Sequence, residues 1–272
     1  MMSGAAIGVL DSGIGGLSVH AHIKALLPKE RLIYVADTAY CPYGTKPVEI
    51  IRERSLLLTR FLLEQGCKLV VVACNTATAA AIHTLRSLFP QELIVGMEPA
   101  VKPAILHTKS GVVGVLATRG TFRGPLYNTT LAAFAGPVRV LEAHAEGWVE
   151  AVERGEFDTP ATEEKVREVI DPMLTAGADH LVLGCTHYPF LVPVIRKIAG
   201  PGVTIVDPAP AVARRVRFLL SEKGRLAEKQ SPPGEDLYYT SCLDTSMLPK
   251  AVPYTAKGGT INWRPYTFEN TE

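Results

Sequence analysis

The 272-residue chain lacks several features that would assign it to a broad class of protein. It carries 28 Lys and Arg against 27 Asp and Glu, so its net charge of +1 gives no electrostatic basis for binding nucleic acid or an anionic membrane. No apolar run approaches the roughly 20 residues that span a bilayer. The first residues lack a basic segment followed by a long apolar one, so we expect no signal peptide and a cytoplasmic protein.

Cysteines are few and form no recognisable framework. The five thiols, at positions 41, 67, 74, 185 and 242, include no CxxC pair and no Cys/His spacing typical of a zinc site. A cytoplasmic chain keeps its thiols reduced, so we predict no disulfide. Since no spacing resembles a zinc site, we also predict no bound metal. Cys67 and Cys242 are interpreted as structural residues, and the role of Cys41 stays open.

Short apolar runs alternate along the chain with longer segments of helical periodicity. Segments 48–65 and 161–176 have apolar residues at helical spacing and charges on the opposite face. Nearly continuous apolar strands, each followed by a helix, are typical of parallel sheets that helices cover on both faces. The pattern predicts an α/β fold with strands at 6–10, 31–36, 68–73, 92–96, 111–117, 137–141, 179–184 and 203–206.

One motif occurs twice, and this repetition predicts two similar lobes. The first half contains IGVLDSG followed by VVVACNT, and the second half contains VGVLATRGT followed by LVLGCTH. We assign residues 1–98 and about 209–272 to the first lobe, and residues 99–208 to the second. The tail after residue 231 is predicted to be irregular, with one short strand at DLYYTS.

Each half delivers a cysteine to the carboxyl end of a strand, where open parallel sheets bind their ligands. Cys74 is followed by Asn75 and Thr76, and Cys185 is followed by Thr186 and His187. A lone cysteine here would be interpreted as a small apolar core residue. Two cysteines in matched polar settings favour a catalytic pair on opposite walls of one cleft.

Two opposed thiols suit inversion at a carbon that bears an acidic hydrogen. One thiolate removes the proton from one face of the carbon, and the opposite thiol returns a proton to the other face. A free thiol titrates near a pKa of about 8.5, so a helix N-terminus or a nearby His187 would assist the base. Hydroxyl and amide side chains at the strand ends offer donors to a substrate carboxylate.

Three other interpretations compete with the two-thiol hypothesis. The glycine-rich DSGIGG differs from GxGxxG in spacing and no GK[ST] follows it, so it does not favour a nucleotide site. A cysteine hydrolase would need one cysteine and one histidine, which leaves the second cysteine unexplained. A non-catalytic two-lobed binding protein accounts for the lobes and the polar strand ends, but it does not require the cysteines.

Six motifs of the chain, taken together, resemble those of the bacterial glutamate racemases of the aspartate/glutamate racemase superfamily. In order along the chain they are VLDSGIGGLSV, YVADTAYCPYG, VVACNTATAAA, GMEPAVKPA, GVLATRGT and LVLGCTHYPFL. The resemblance covers roughly residues 6–220. It implies cofactor-independent, metal-free interconversion of L- and D-glutamate for peptidoglycan synthesis, by two bases, in a protein that is commonly a homodimer. Racemisation of another amino acid, aspartate, by the same superfamily is the alternative.

The resemblance also implies roles for individual residues. Cys74 would act on the D-enantiomer with the help of Asp11, and Cys185 would act on the L-enantiomer with the help of His187. Asp37 and Glu153 match acidic residues regarded as auxiliary. The positions that match substrate-binding residues are Asp11, Ser12, Tyr43, Gly44, Asn75, Thr76, Thr118, Thr121, Thr186 and His187.

Overall fold

Two parallel sheets organise the protein in the computed structural model, which describes residues 5–228, 234–249, 252–254 and 260–268. The α/β fold predicted from the sequence is confirmed. In the first sheet the strands are ordered β10-β9-β2-β1-β3-β4. Their bounds are β1 Ile7–Asp11, β2 Leu32–Ala36, β3 Leu69–Val72, β4 Ile94–Gly96, β9 Leu237–Thr240 and β10 Trp263–Pro265.

The second sheet has the order β6-β5-β7-β8, and its paired strands are also parallel. Its strands are β5 Val112–Ala117, β6 Arg139–Ala143, β7 His180–Gly184 and β8 Thr204–Val206. Every strand predicted from the sequence is present, and the bounds differ by no more than two residues.

The helices connect the strands and cover the sheets. They are α1 Leu17–Leu26, α2 Val48–Glu64, α3 Asn75–Leu88, α4 Val101–His107, α5 Arg119–Phe122, α6 Pro125–Phe134, α7 Trp148–Glu153, α8 Pro160–Thr175, α9 Val192–Ala199 and α10 Ala209–Glu222. In α2, for example, Ile51, Leu58 and Leu62 are buried at helical spacing while Arg52 and Arg60 are exposed. None of the helices in the described ranges is long and apolar enough to cross a membrane.

Burial explains why the central strands are almost wholly apolar. All five residues of β1 and all four of β3 are buried, because helices lie on both faces of the sheet. Helix α10 follows β8 of the second sheet and packs against α1, β3 and β4 of the first. The largest buried apolar cluster contains residues of both sheets, so the lobes share part of their core.

The tail contains more regular structure than the sequence predicted. The expected strand at DLYYTS is β9, which pairs with β2. A second strand, β10, was not predicted and pairs with β9 at the edge of the sheet. The prediction of a single tail strand is therefore wrong, because three residues at an exposed edge leave little apolar pattern to detect. Parts of the tail prediction, at residues 231–233, 250–251, 255–259 and 269–272, lie outside the described residues.

Candidate active site

The carboxyl ends of β1 and β3 in the first sheet face those of β5 and β7 in the second, and the two cysteines lie where they meet. Cys74 follows β3 and is the N-cap of α3, where its sulfur accepts a 3.4 Å hydrogen bond from the Ala77 amide. Its thiol lies 3.9 Å from the hydroxyl oxygen of Ser12. A helix N-terminus presents unpaired N–H groups, which stabilise negative charge on the sulfur.

Cys185 occupies the matching position after β7 and is paired with a histidine. Its sulfur lies 3.7 Å from Nδ1 of His187, and Nε2 of the same ring is 2.6 Å from Oε1 of Glu153. The Ile14 amide donates a 2.8 Å hydrogen bond to that carboxylate oxygen. Glu153, the two ring nitrogens of His187 and the Cys185 sulfur, all of the second lobe, therefore form a continuous path for a proton.

Both cysteines line one narrow cavity between the lobes, with about 10 Å³ of free space, roughly the volume that one water requires. Pro42 and Val149 also line it, and neither was predicted from the sequence. The predicted residues that line it are Ser12, Tyr43, Gly44, Cys74, Asn75, Thr76, Thr118, Cys185, Thr186 and His187. A wider cavity of about 390 Å³ adjoins it, with Pro42, Gly44, Thr118 and Val149 in both walls.

Asp11 and Thr121 lie behind this cavity rather than in its wall. The buried Asp11 carboxylate accepts hydrogen bonds from the Gly13 amide at 2.9 Å and the Thr186 hydroxyl at 2.9 Å. Burial raises the pKa of Asp11, although the nearby His187 opposes that shift. Asp11 is thus held in place by one residue of each lobe.

Three threonines join the lobes on the other side of the cavity. The hydroxyls of Thr76 and Thr118 are 2.8 Å apart, and those of Thr118 and Thr121 are 3.1 Å apart. Thr121 therefore orients Thr118, which in turn contacts Thr76 across the cleft. A hydroxyl that is already bonded to a neighbour is fixed in direction, which prepares the wall to recognise a polar ligand.

Asn75 differs from its neighbours because its amide has no partner. The side chain is buried, and neither its oxygen nor its nitrogen has a hydrogen-bond partner among the described residues. A buried amide without partners costs roughly 1–3 kcal/mol. Since Asn75 lines the cavity, a ligand bound there would provide the missing partners.

Asp37 is neutralised by an arginine. The guanidinium of Arg54 donates hydrogen bonds of 2.7 and 2.9 Å to its two carboxylate oxygens, and both residues are buried. The Tyr43 hydroxyl donates a further bond of 2.6 Å. Asp37 therefore holds Tyr43 in the cavity wall, and the structure gives it no direct access to the cysteines.

Burial and charge act differently on the groups of the site. Burial, reinforced by the charge of Asp11, raises the pKa of Cys74 to about 12, so this thiol keeps its proton. Burial alone would lower the pKa of His187, but hydrogen bonds to Cys185, Cys41 and Glu153 raise it well above its ordinary value. The two sides of the cavity thus differ in their protonation.

The glycines of DSGIGG allow the two lobes to approach each other. A Cβ on Gly15 would overlap the His187 ring and the Thr186 hydroxyl, and a Cβ on Gly13 would overlap the Glu153 carboxylate. These glycines are thus explained by close packing against the second lobe. Cys41, whose role the sequence left open, also lies here, in reach of His187 and Glu153. Its position after β2, in the same kind of strand-end loop, is the signal that could have identified it.

Comparisons with known proteins agree with this geometry. The family described as Asp/Glu/Hydantoin racemase matches residues 7–216. The chain is 50% identical over 235 residues to a glutamate racemase of Methylococcus capsulatus, covering 86% of each chain. It is 48% identical over 251 residues to that of Ectopseudomonas mendocina, covering 92% of this chain and 94% of the other.

Solved structures show the same similarity. Glutamate racemase isoform RacE1 from Bacillus anthracis superposes with a TM-score of 0.83 at 33% identity, covering 96% of this chain and 97% of the other. Escherichia coli glutamate racemase, in complex with L-glutamate and the activator UDP-MurNAc-ala, superposes with a TM-score of 0.84 at 30% identity, covering 98% of this chain and all of the other.

Proposed function

The chain belongs to the Asp/Glu/Hydantoin racemase family, and from that premise we propose that it interconverts L- and D-glutamate through Cys74 and Cys185. The observation that carries the proposal is the shared cavity: two cysteines, from the ends of strands in different sheets, line the same narrow space. A non-catalytic two-lobed binding protein would have no need of this arrangement.

In the direction from L- to D-glutamate, Cys185 is the base. Its thiolate takes the α-proton from one face of the substrate, and the electron pair of the broken C–H bond moves into the adjacent carboxylate. The Cys74 thiol then gives its proton to the opposite face of the carbon. The reaction ends with a Cys185 thiol and a Cys74 thiolate, and the reverse reaction exchanges the roles.

Several features support this division of roles. Cys74 keeps its proton in the free protein because burial raises its pKa to about 12, as the acid for this direction requires. Cys185 lies 3.7 Å from His187, which can accept or return a proton as each turnover requires. Asp11, beside the Ser12 and Cys74 side of the cavity, would restore the proton of Cys74.

The remaining polar groups of the cavity would bind the charged ends of glutamate. The Asn75 amide has no partner among the described residues and is the group with most to gain from a ligand. The hydroxyls of Ser12, Thr76 and Thr118 and the adjacent N–H groups of α3 suit a carboxylate. Because the cavity has space for little more than one water, the lobes must separate to admit glutamate and close again around it.

The proposal also covers the use of the product, the location of the protein and its oligomeric state. D-glutamate would be supplied for peptidoglycan synthesis by a cytoplasmic homodimer that uses no cofactor. The many relatives that carry the name glutamate racemase favour glutamate over aspartate. Racemisation of aspartate stays as the alternative.

Proton NMR of the purified protein with L-glutamate in D₂O, with optical rotation measured in parallel, tests the proposal. We expect the α-proton signal to disappear while the rotation decays to zero, because the returned proton comes from solvent. The same experiment with L-aspartate determines the substrate. A folded protein that binds glutamate but causes neither change would contradict the proposal and favour a binding protein.

A further inference from the structure

Three potential metal ligands that come from separate segments converge beside the cavity. Cys41 lies in the loop after β2, Glu153 ends α7, and His187 lies in the loop after β7. One donor atom from each, a sulfur, a carboxylate oxygen and a ring nitrogen, lie within 4.8 Å of one another. The proposed racemisation uses His187 and Glu153 but has no role for the thiol of Cys41.

One oxygen of the Glu153 carboxylate accepts no hydrogen bond from the described residues. Its Oε1 accepts hydrogen bonds from His187 and Ile14, whereas its Oε2 is buried and has no partner among the described residues. A buried carboxylate oxygen without a partner is costly, and a cation would remove that cost. Cys41 and Glu153 are both partly buried residues, whereas His187 is buried.

The glycine loop passes close to two of the three donors. Gly13 runs beside the cluster, and a Cβ there would overlap the Glu153 carboxylate and come within 3.0 Å of the Cys41 sulfur. Tetrahedral Zn²⁺ with bonds of about 2.0–2.3 Å requires donors roughly 3.5 Å apart. This separation lies between the 2.6 Å from His187 Nε2 to Glu153 Oε1 and the 4.8 Å within which all three donors lie. Sulfur, imidazole and carboxylate are the donors that Zn²⁺ prefers in proteins, and three of them leave a fourth position open.

We propose that Cys41, Glu153 and His187 form an inhibitory binding site for Zn²⁺ or a similar divalent ion. On binding, the Cys41 thiol loses its proton to solvent and its sulfur bonds to the metal. The ion also displaces the proton shared by His187 and Glu153, and this proton too leaves to solvent. His187 is then no longer free to exchange a proton with Cys185, and turnover stops.

The binding of metal is independent of the proposed function, whereas the loss of turnover rests on it. A protein that binds Zn²⁺ as described but never exchanges the α-proton of glutamate would contradict the racemisation and leave the metal site intact. The competing site for Zn²⁺ is the pair Cys74 and Cys185, so the test has to separate Cys41 from that pair.

The test compares metal binding by the full-length protein and its cysteine variants. Zn²⁺ affinity is measured by competition with a chromogenic chelator, and thiolate ligation by the near-ultraviolet charge-transfer band of added Co²⁺. We expect Cys41→Ser to weaken Zn²⁺ binding at least about tenfold, to lose the Co²⁺ band and to resist inhibition relative to its own basal rate. Cys67→Ser, which changes a buried thiol far from the cluster, should bind and be inhibited like the unmodified protein.

Glu153→Gln provides a second test if Cys41→Ser does not fold, because the amide is a poor Zn²⁺ ligand of the same shape. It should also weaken Zn²⁺ binding at least about tenfold. Unchanged affinity in a folded Cys41→Ser or Glu153→Gln protein would overturn the proposal. So would loss of binding in Cys74→Ser together with full binding in Cys41→Ser, since this result would assign the ion to the other pair of thiols.

Discussion

The hydroxyl of Thr186 donates a 2.9 Å hydrogen bond to Oδ2 of Asp11, although the two residues follow strands of different sheets. The bond closes the cleft behind the two cysteines and fixes the direction of the Asp11 carboxylate. Thr186 also accepts, through its backbone carbonyl, a 3.2 Å bond from the Ser18 hydroxyl. Residues of both lobes thus build one wall of the site, and separation of the lobes would dismantle it.

Removal of either of the two proposed catalytic thiols is expected to abolish racemisation while the fold persists. Cys74→Ala and Cys185→Ala should each lower the rate of racemisation at least about 10³-fold, since each deletes the acid or base for one face of the carbon. Decay of optical rotation with L-glutamate and with D-glutamate measures the rate, and circular dichroism measures the fold.

Cys67→Ala is the matched control for both thiols. Cys67 is buried against Leu62 in the core of the first lobe, away from the cavity, so its loss should change stability slightly and leave turnover nearly unaltered. Near-normal turnover in either Cys74→Ala or Cys185→Ala would disprove the two-thiol mechanism.

Gly15→Ala is expected to reduce turnover by about 100-fold without unfolding the protein. The added methyl group would overlap the His187 ring and the Thr186 hydroxyl, and it would displace both from their observed positions. A displacement of about 1 Å in an active site commonly costs this much in rate. The rate of α-proton exchange measures the effect.

Gly202→Ala is the control for this substitution. A methyl group added at Gly202 would meet no atom within 4 Å, and the backbone there is not left-handed, so the same change is made in open space. Full activity in Gly15→Ala would show that His187 does not depend on its approach to the glycine loop.

Arg54→Met is expected to destabilise the protein by about 3–5 kcal/mol, because it leaves the buried Asp37 carboxylate without its counter-ion. It should also lower turnover, since Asp37 positions Tyr43. Urea unfolding measures the stability. Arg167→Met, which removes an exposed ion pair with Glu163, should leave the stability nearly unchanged.

A double variant isolates the unpaired charge as the cause. Asp37→Asn combined with Arg54→Met should recover much of the lost stability, because no buried charge is then left unpaired. If the double variant is no more stable than Arg54→Met alone, the loss arises from the packing of Arg54 rather than from the charge of Asp37.

Stability is expected to fall as the pH is lowered through the range in which His20 titrates. Burial, opposed by Asp236 and reinforced by Lys24, lowers the pKa of His20 from 6.5 to about 4. The rings of Tyr34 and Tyr238 also face the imidazole. Between pH 6.5 and about pH 4, His20 binds a proton in the unfolded chain but not in the folded protein.

The free energy of unfolding should therefore have its full value above about pH 6.5 and be about 2 kcal/mol lower at about pH 5. Urea unfolding at about pH 7.5 and about pH 5 measures the difference. His20→Phe should remove most of this pH dependence, whereas His83→Asn, on the exposed face of α3, should keep it. An unchanged pH dependence in His20→Phe would show that other groups cause it.

The strands of both sheets were predictable because burial on both faces selects continuous apolar runs, as in β1 and β3. The edge strand β10 was not predictable, because Trp263–Pro265 is short and its last two residues are exposed. Its assignment depends on pairing with β9, which is a long-range contact that local composition does not encode.

The sequence by itself determined the α/β fold and, through its repeated strand ends, the two cysteines with their polar neighbours. A strand end is a local feature, and the residue that follows a buried strand necessarily lies at the carboxyl end of the sheet. Only the tertiary structure decided that Arg54 neutralises Asp37, that Glu153 bonds His187, and that Cys41 joins them. These relations depend on how distant segments meet when the two sheets pack together, and no local pattern of residues specifies such a meeting.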